Sequence, residues 1–172
     1  MNYWIITDTH FNHSGLEQWG GRSGDWQEQI WRGLKAIPDG DILIHLGDIC
    51  IGDDKEVHLK LLAATSHLGQ RVLVRGNHDK KGLQWYTEHY WDFVCDGLEL
   101  IYQGHYLHFT HRPARPQGNT SWNIHGHTHG NMHRSEEYLE YYDKAYHIDL
   151  SPELVGFKPV RLDTLLKKVN HS

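Results

Sequence analysis

Tyr3-Trp4-Ile5-Ile6-Thr7-Asp8-Thr9-His10, residues 3–10, is the stretch that decides the fold: an apolar run rich in β-forming residues leads straight into a carboxylate and an imidazole. Tyr3 to Thr7 reads as a buried strand that delivers polar groups from its C-terminal end. The pattern recurs twice. Asp41 to Leu46 is an apolar strand, centred on Ile42-Leu43-Ile44, that stops at Gly47-Asp48, and Arg71 to Arg75 carries Val72-Leu73-Val74 into Gly76-Asn77-His78-Asp79. Between these strands Trp26, Ile30, Leu34 and Ile37 mark one helical face, and Val57, Leu61, Leu62 and Leu68 mark another. Strands alternating with helices imply a parallel sheet with crossover connections. In open α/β sheets ligands bind beyond the carboxyl ends of the strands, which is where all three polar clusters fall.

The second half reads differently. Leu98 to Tyr102, His105 to Thr110, Trp122 to His125 and Tyr146 to Leu150 are shorter strand candidates separated by Gly, Pro and Asn turns. They predict a second, more antiparallel sheet packed on the first. The loop Phe11 to Gly24, with four glycines and a tryptophan, is too polar for core and too long for a plain connection. Repeats and low-complexity linkers are absent.

At 172 residues the chain is expected to form one domain, residues 1–172, with a core that needs no disulfide. Seventeen basic against 22 acidic side chains give a net charge of −5, which provides no overall basic field for nucleic acid but leaves room for a local phosphate site. Cys50 and Cys95 form no C-x-x-C and read as buried thiols. The N-terminus lacks the basic start and long apolar stretch of a signal peptide, and no segment approaches a membrane span, so a cytoplasmic protein is expected. Sixteen histidines exceed what structure alone demands. Imidazole is the commonest metal ligand and a ready acid or base, so the positions of those histidines matter.

Asp8-Thr9-His10 puts a carboxylate and an imidazole two residues apart, on one side of an extended chain, so both can reach one ion. Gly47-Asp48 adds a second carboxylate where glycine permits close backbone approach. Asn77 offers a neutral amide oxygen that adds no negative charge to an acidic site. His111 stands at the end of the strand Tyr106 to Thr110, and Gly126-His127-Thr128-His129 supplies two more imidazoles.

The ordered series D-x-H, G-D, G-N-H-D, a lone histidine after a strand, and G-H-x-H, spanning residues 8 to 129, resembles the calcineurin-like metallophosphoesterases. Thr7 to His13, His45-Leu46-Gly47-Asp48 and Gly156-Phe157-Lys158-Pro159-Val160 are similar to the small bacterial and phage members. The resemblance implies an α/β fold of two mixed sheets packed face to face and flanked by helices, a four-layer sandwich. It also implies a binuclear metal centre. Asp8, His10, Asp48 and His129 would ligate the first ion and Asp48, Asn77, His111 and His127 the second, with Asp48 bridging. His78 is similar to the family histidine that stands beside the ions and approaches the phosphoryl or leaving-group oxygen.

Two divalent ions, two carboxylates and a bridging hydroxide leave a net charge of about +1, and such a centre polarises phosphoryl oxygens and activates water as a nucleophile for phosphoester hydrolysis. Mixed imidazole and carboxylate donors favour Mn²⁺, Fe, Zn²⁺, Ni²⁺ or Co²⁺ over Mg²⁺ and Ca²⁺, with Mn²⁺ the first choice in vitro. In the protein phosphatases the second motif resembles G-D-x-x-D-R-G, whereas this chain reads Gly47 to Asp53 as G-D-I-C-I-G-D. Ile51 stands where an aspartate would orient the catalytic histidine, and the phosphate-binding arginine is missing. Asp53, Asp54 or Asp79 is left to orient His78.

Arg22, Arg112 and Arg115 are candidate phosphate contacts, since guanidinium matches phosphate oxygens in a fork. His13 is placed at the pocket wall, and Trp19 either stacks on a base or caps a helix. A phosphodiesterase acting on a small or nucleotide-derived substrate, a nucleotide or single-stranded nucleic acid, is expected, with no membrane and no protein partner. The alternatives are a phosphomonoesterase of the same fold and a metal-dependent binding or scaffold protein with little turnover.

Overall fold

The fold is that of a computed structural model, which describes every residue except 20, 23, 53, 116, 132–136 and 170–172, and all side chains of the remainder except those of residues 18 and 19. The first three predicted strands form as β1 (Tyr3–Ile6), β2 (Ile42–His45) and β3 (Gln70–Val74), paired in parallel as the sequence implies. β4 (Phe93–Cys95) extends this sheet in parallel beside β3, and β9 (Val160–Arg161) closes the other side antiparallel to β1, giving the order β4-β3-β2-β1-β9. Neither of these two strands was legible, because runs of two or three residues carry no periodicity. The second sheet runs β5 (Leu98–Tyr102), β6 (His105–Phe109), β7 (Trp122–His125) and β8 (His147–Asp149) in sequence order. Only the β5–β6 hairpin in it is antiparallel. The long connections after β6 and β7 bring the chain back to start β7 and β8 in parallel, so this sheet is less antiparallel than its short strands suggest.

Helices α2 (Trp26–Lys35), α3 (Asp54–Ala64) and α4 (Leu83–His89) pack on the outer face of the five-stranded sheet. Trp26, Ile30 and Leu34 are buried at the predicted spacing, while Ile37 and Leu68 lie just past their helices and still join or flank the core. The two sheets meet through Ile5, Ile44, Val74, Leu107, Phe109 and Ile124, and α6 (Leu162–Val169) seals that layer with Leu162, Leu165 and Leu166. These are two mixed sheets with helices against them, the α/β architecture expected. Among the described residues no helix is long and apolar enough to cross a membrane. Cys50 is buried and Cys95 half-buried, and they share no disulfide.

The segment Phe11 to Gly24 departs from its expected character. It holds a short helix, α1 (Gly15–Trp19), and buries Phe11, Leu16 and Arg22. Phe11 stacks on Trp31 at 4.1 Å, and the Arg22 guanidinium lies over the Trp26 ring at 4.7 Å. A polar loop thus becomes core once its cation finds aromatic faces and a carboxylate.

Candidate metal centre

The loops that follow β1 and β2 continue side by side beyond the sheet: Asp8 N–H donates to Gly47 O at 2.9 Å, His10 N–H to Asp48 O at 3.0 Å and Phe11 N–H to Ile49 O at 2.9 Å. This sets Asp8 and Asp48 next to each other. The backbone that does so is not extended, as D-x-H on a strand would be. Asp8, His10 and Asp48 have φ of 48°, 44° and 56°, and His127 and His129 have 71° and 54°. Left-handed non-glycine residues cost of order 1–3 kcal/mol each and persist where surrounding bonds hold them. Two glycines bring the third and fourth loops in. A Cβ on Gly47 would lie 2.6 Å from the Cα of Gly76, and a Cβ on Gly126 would collide with the Asp8 carboxylate and Thr7.

Each carboxylate uses one oxygen to fix itself and turns the other inward. Asp8 Oδ2 accepts from Thr7 Oγ1 at 2.7 Å and from His127 N at 2.8 Å. Its Oδ1 is buried with no hydrogen-bond partner among the described residues, 3.7 Å from His10 Nε2 and 3.8 Å from His129 Nε2. Asp48 Oδ1 accepts from His78 N at 2.7 Å, while its Oδ2 lies 3.6 Å from His10 Nε2 and 3.4 Å from His111 Nε2. His111 Nε2 is also 3.0 Å from Asn77 Oδ1 and 3.1 Å from His127 Nδ1.

Tautomers decide what these atoms offer. His111 Nδ1 lies 2.8 Å from Leu46 O, an acceptor only, so Nδ1 carries the hydrogen and the lone pair of the neutral ring points at Asp48. The result is two adjoining sets of converging donor atoms, Asp8 with His10 and His129, and Asp48 with His111 and His127. Lone pairs converging at this spacing, with Asp8 Oδ1 and both His10 nitrogens buried and unpartnered among the described residues, call for positive charge between them, so the residues present fit a pair of divalent cations. The titration of the metal-free site answers the same demand. Burial lowers the His111 pKa, but Asp48 and Asp8 outweigh it and drive it up to about 9, whereas burial with His111 and Arg112 pushes His127 down to about 4. Burial works to raise Asp8 and Asp48, yet the surrounding imidazoles hold both carboxyls below their ordinary value.

The other expected site residues are placed as follows. His78 is partly exposed, with Nε2 3.9 Å from Asp48 Oδ2 and its ring 5.3 Å from that of His10. His13 lies with its ring 5.6 Å from His10 at the same cleft. Arg112 is half exposed, its Nη2 3.5 Å from Asn77 Oδ1 and its Nη1 3.6 Å from Glu137. Arg22 is brought to the centre but not to its open side. Its guanidinium is buried and committed to Glu153 Oε1 at 2.8 Å and to the Asp8 carbonyl at 3.0 Å, so it does not face incoming phosphate. Arg115 pairs with Glu140 at 2.7 Å over the Tyr141 ring and stays out of the cleft.

Neither described candidate for orienting His78 is hydrogen-bonded to its ring. Asp54 pairs with Lys81 at 3.6 Å, and Asp79 accepts backbone N–H bonds from Gly76 at 2.7 Å, Asp48 at 2.8 Å and Ile49 at 3.1 Å. Asp79 therefore clips the Gly47-Asp48 loop to the Gly76-Asn77 loop. Asp53 and the Trp19 side chain lie outside what the structure describes. Two residues of this neighbourhood were given no role in the sequence, Glu153 and the neutral His45, which stood only within a quoted motif. His45 accepts from Gly47 N at 3.0 Å and stands 3.0 Å from Thr9 Oγ1, tying the two aspartate loops together; burial lowers its pKa to about 3.

The uncharacterized protein MJ1445 of Methanocaldococcus jannaschii is 29% identical over 173 residues, taking in 96% of this chain and 90% of its own. Among solved structures, the protein of unknown function AQ665 from Aquifex aeolicus shares the fold, with a TM-score of 0.76 at 24% identity over 96% of this chain and 98% of that one. The model of the calcineurin-like phosphoesterase superfamily domain matches residues 1–144, which hold every candidate ligand named above. The chain belongs to the calcineurin-like phosphoesterase superfamily and is a phosphoesterase of that kind.

Proposed function

We propose that the protein is a two-metal-ion phosphodiesterase acting on small or nucleotide-derived substrates. The observation that carries this reading is the Asp48 carboxylate, whose Oδ2 lies 3.6 Å from His10 Nε2 and 3.4 Å from His111 Nε2 and so faces both donor sets at once. Asp8, His10, Asp48 and His129 would hold one divalent ion, and Asp48, Asn77, His111 and His127 the other. When bound, two such ions polarise phosphoryl oxygens and lower the pKa of water to about 7. The mixed imidazole and carboxylate donors suit Mn²⁺, Fe, Zn²⁺, Ni²⁺ or Co²⁺, and Mn²⁺ is the ion for a first assay.

The chain's own residues supply orientation and a proton. His78 stands at the open side of the donor sets, within reach of a leaving-group oxygen. Burial and neighbouring cations lower its pKa against the pull of Asp48, and an arriving phosphate anion favours its protonated form. Arg112 is the candidate phosphate grip, since its fork is half exposed and is held, among the described residues, by the exposed Glu137 at 3.6 Å and by Asn77 Oδ1 at 3.5 Å. His13 would line the pocket wall beside His10.

The preference for diesters rests on charge. With Arg22 and Arg115 committed elsewhere, Arg112 is the one of the three candidate arginines facing the cleft, and a centre of about +1 matches a phosphodiester monoanion better than a monoester dianion. Matched aryl diester and monoester substrates, assayed with Mn²⁺, test this. The diester is expected to show the higher kcat/KM. A monoester preference of tenfold or more, about 1.4 kcal/mol in transition-state binding, would overturn the substrate class.

A further inference from the structure

Glu153 lies on α5 (Pro152–Val155), beyond the span that matches the family, and 24 residues after the histidine it touches. Its Oε1 is 2.9 Å from His129 Nδ1. Arg22 Nη2 is also near that nitrogen, at 3.2 Å, and the two contacts demand opposite things of it. A carboxylate only accepts and a guanidinium only donates, so Nδ1 cannot serve both. The shorter contact, to the anion, assigns the hydrogen to Nδ1. His129 Nε2 is then an unprotonated lone pair turned toward Asp8 Oδ1, 3.8 Å away.

Arg22 makes this carboxylate usable. Its Nε donates to the same Glu153 oxygen at 2.8 Å, its Nη2 to the Asp8 carbonyl at 3.0 Å, and its plane lies over Trp26 at 4.7 Å and near Phe157 at 5.6 Å. One buried cation therefore links the end of β1, helix α2 and the C-terminal segment to the back of His129. Gly156, at φ 77°, ends α5 in the left-handed conformation, and Phe157 follows at 53° to reach Arg22. By contrast His111 has its Nδ1 hydrogen taken by a backbone carbonyl, Leu46 O at 2.8 Å. The two donor sets thus differ in what stands behind a histidine, an anion in one and a neutral carbonyl in the other.

We propose that Glu153, held by Arg22, is the positioning residue of the Asp8–His10–His129 set: it fixes His129 as the Nδ1–H tautomer, strengthens Nε2 as a donor and makes this position bind its ion more tightly. The proposal rests on reading these residues as ligands. Carboxylates behind ligating histidines are worth 10–100-fold in metal affinity.

The test uses metal-free protein titrated with Mn²⁺ by calorimetry, in wild type, Glu153→Gln and the paired Arg22→Met/Glu153→Met, with His129→Ala marking which position is affected. Circular dichroism checks folding. Glu153→Gln keeps shape and removes charge, and the paired variant removes the buried ion pair without leaving either charge alone. Wild type is expected to bind two ions. Both variants should weaken by tenfold or more the position that His129→Ala weakens, leaving the other within threefold. In ¹⁵N-labelled metal-free wild type, His129 should carry its proton on Nδ1, and the paired variant should lose that fixed tautomer, a change that mere packing would not produce. Two ions bound by a folded paired variant with affinities within threefold of wild type, or a wild-type His129 protonated on Nε2, would overturn the role of Glu153 alone. Fewer than two ions in wild type would overturn the ligand reading itself, and this inference with it. The wild-type tautomer measurement stands even if neither variant folds.

Discussion

Replacing Asp79 by asparagine separates the frame of the site from its chemistry. The Asp79 carboxylate accepts three backbone N–H bonds, from Gly76 at 2.7 Å, Asp48 at 2.8 Å and Ile49 at 3.1 Å, and the residue is buried. Burial and the nearby Asp48 raise its pKa above the ordinary carboxylate value, against the lowering influence of those same N–H groups. With its oxygen in the Oδ2 position, asparagine keeps the bonds from Gly76 and Asp48 in uncharged form and turns its NH₂ toward the Ile49 N–H. Hydrogen bonds to charged groups are worth about 1.5–3 kcal/mol each, and an unsatisfied buried donor costs about 1–3 kcal/mol. Losing the Ile49 bond and leaving that donor unsatisfied should therefore lower stability by about 2 kcal/mol or more. For a chain of this length that is a fall in Tm of about 4–8 °C. Urea and thermal melts of metal-free protein at neutral pH measure it. A loss under about 1 kcal/mol would refute the clip, because the loops carrying Asp48 and Asn77 would then be held by something else.

Three further perturbations follow from the same geometry. His78→Ala should keep both ions by elemental analysis yet lower kcat by roughly 10²-fold, with a smaller loss for substrates having good leaving groups; an emptied metal position would move His78 into the ligand set. Gly126→Ala places a methyl against the Asp8 carboxylate and Thr7, so metal-free protein should melt lower and bind fewer ions, and wild-type behaviour would contradict the close approach. Asp41 is buried, which works to raise its pKa, but Trp4 Nε1 at 2.9 Å and Asn2 N at 2.7 Å hold it below 3.8. The stability this gives is complete above the unfolded value and is lost as pH falls through the folded one, so stability below about pH 4 should fall less steeply in Asp41→Asn. Equal acid slopes in melts of the two proteins would exclude Asp41 as a contributor.

What the sequence showed, and what it hid, divides by the range of the interactions. Asp8, His10, Asp48, Asn77, His111, His127 and His129 were visible because each stands at the end of a strand whose apolar run is a local signal. The same periodicity found β1, β2, β3 and the helices at Trp26 and Val57. β4 and β9 escaped because two or three residues give no period, and the β6–β7 and β7–β8 pairings are parallel because of long connections that the strands themselves do not reveal. Arg22 was read as a substrate contact from its residue type. Its real partner is Glu153, 131 residues away, and no spacing rule links the two. Asp79 sat inside a quoted motif, yet its bonds run to backbone N–H groups, which carry no sequence signature. D-x-H marked a pair of donor residues in the chain, while their conformation, left-handed at Asp8 and His10, came with the hydrogen bonds to the Gly47–Ile49 segment.

The shared carboxylate is the centre of the account, and Asp48→Asn tests it most directly. Asparagine keeps the oxygen that accepts from His78 N but cannot offset two adjacent dications. Mn²⁺ stoichiometry and phosphodiester turnover, measured on the same preparations of wild type and variant, should give two ions and activity for wild type, and for Asp48→Asn the loss of at least one ion with nearly all turnover. Two ions retained with near-normal turnover would contradict it.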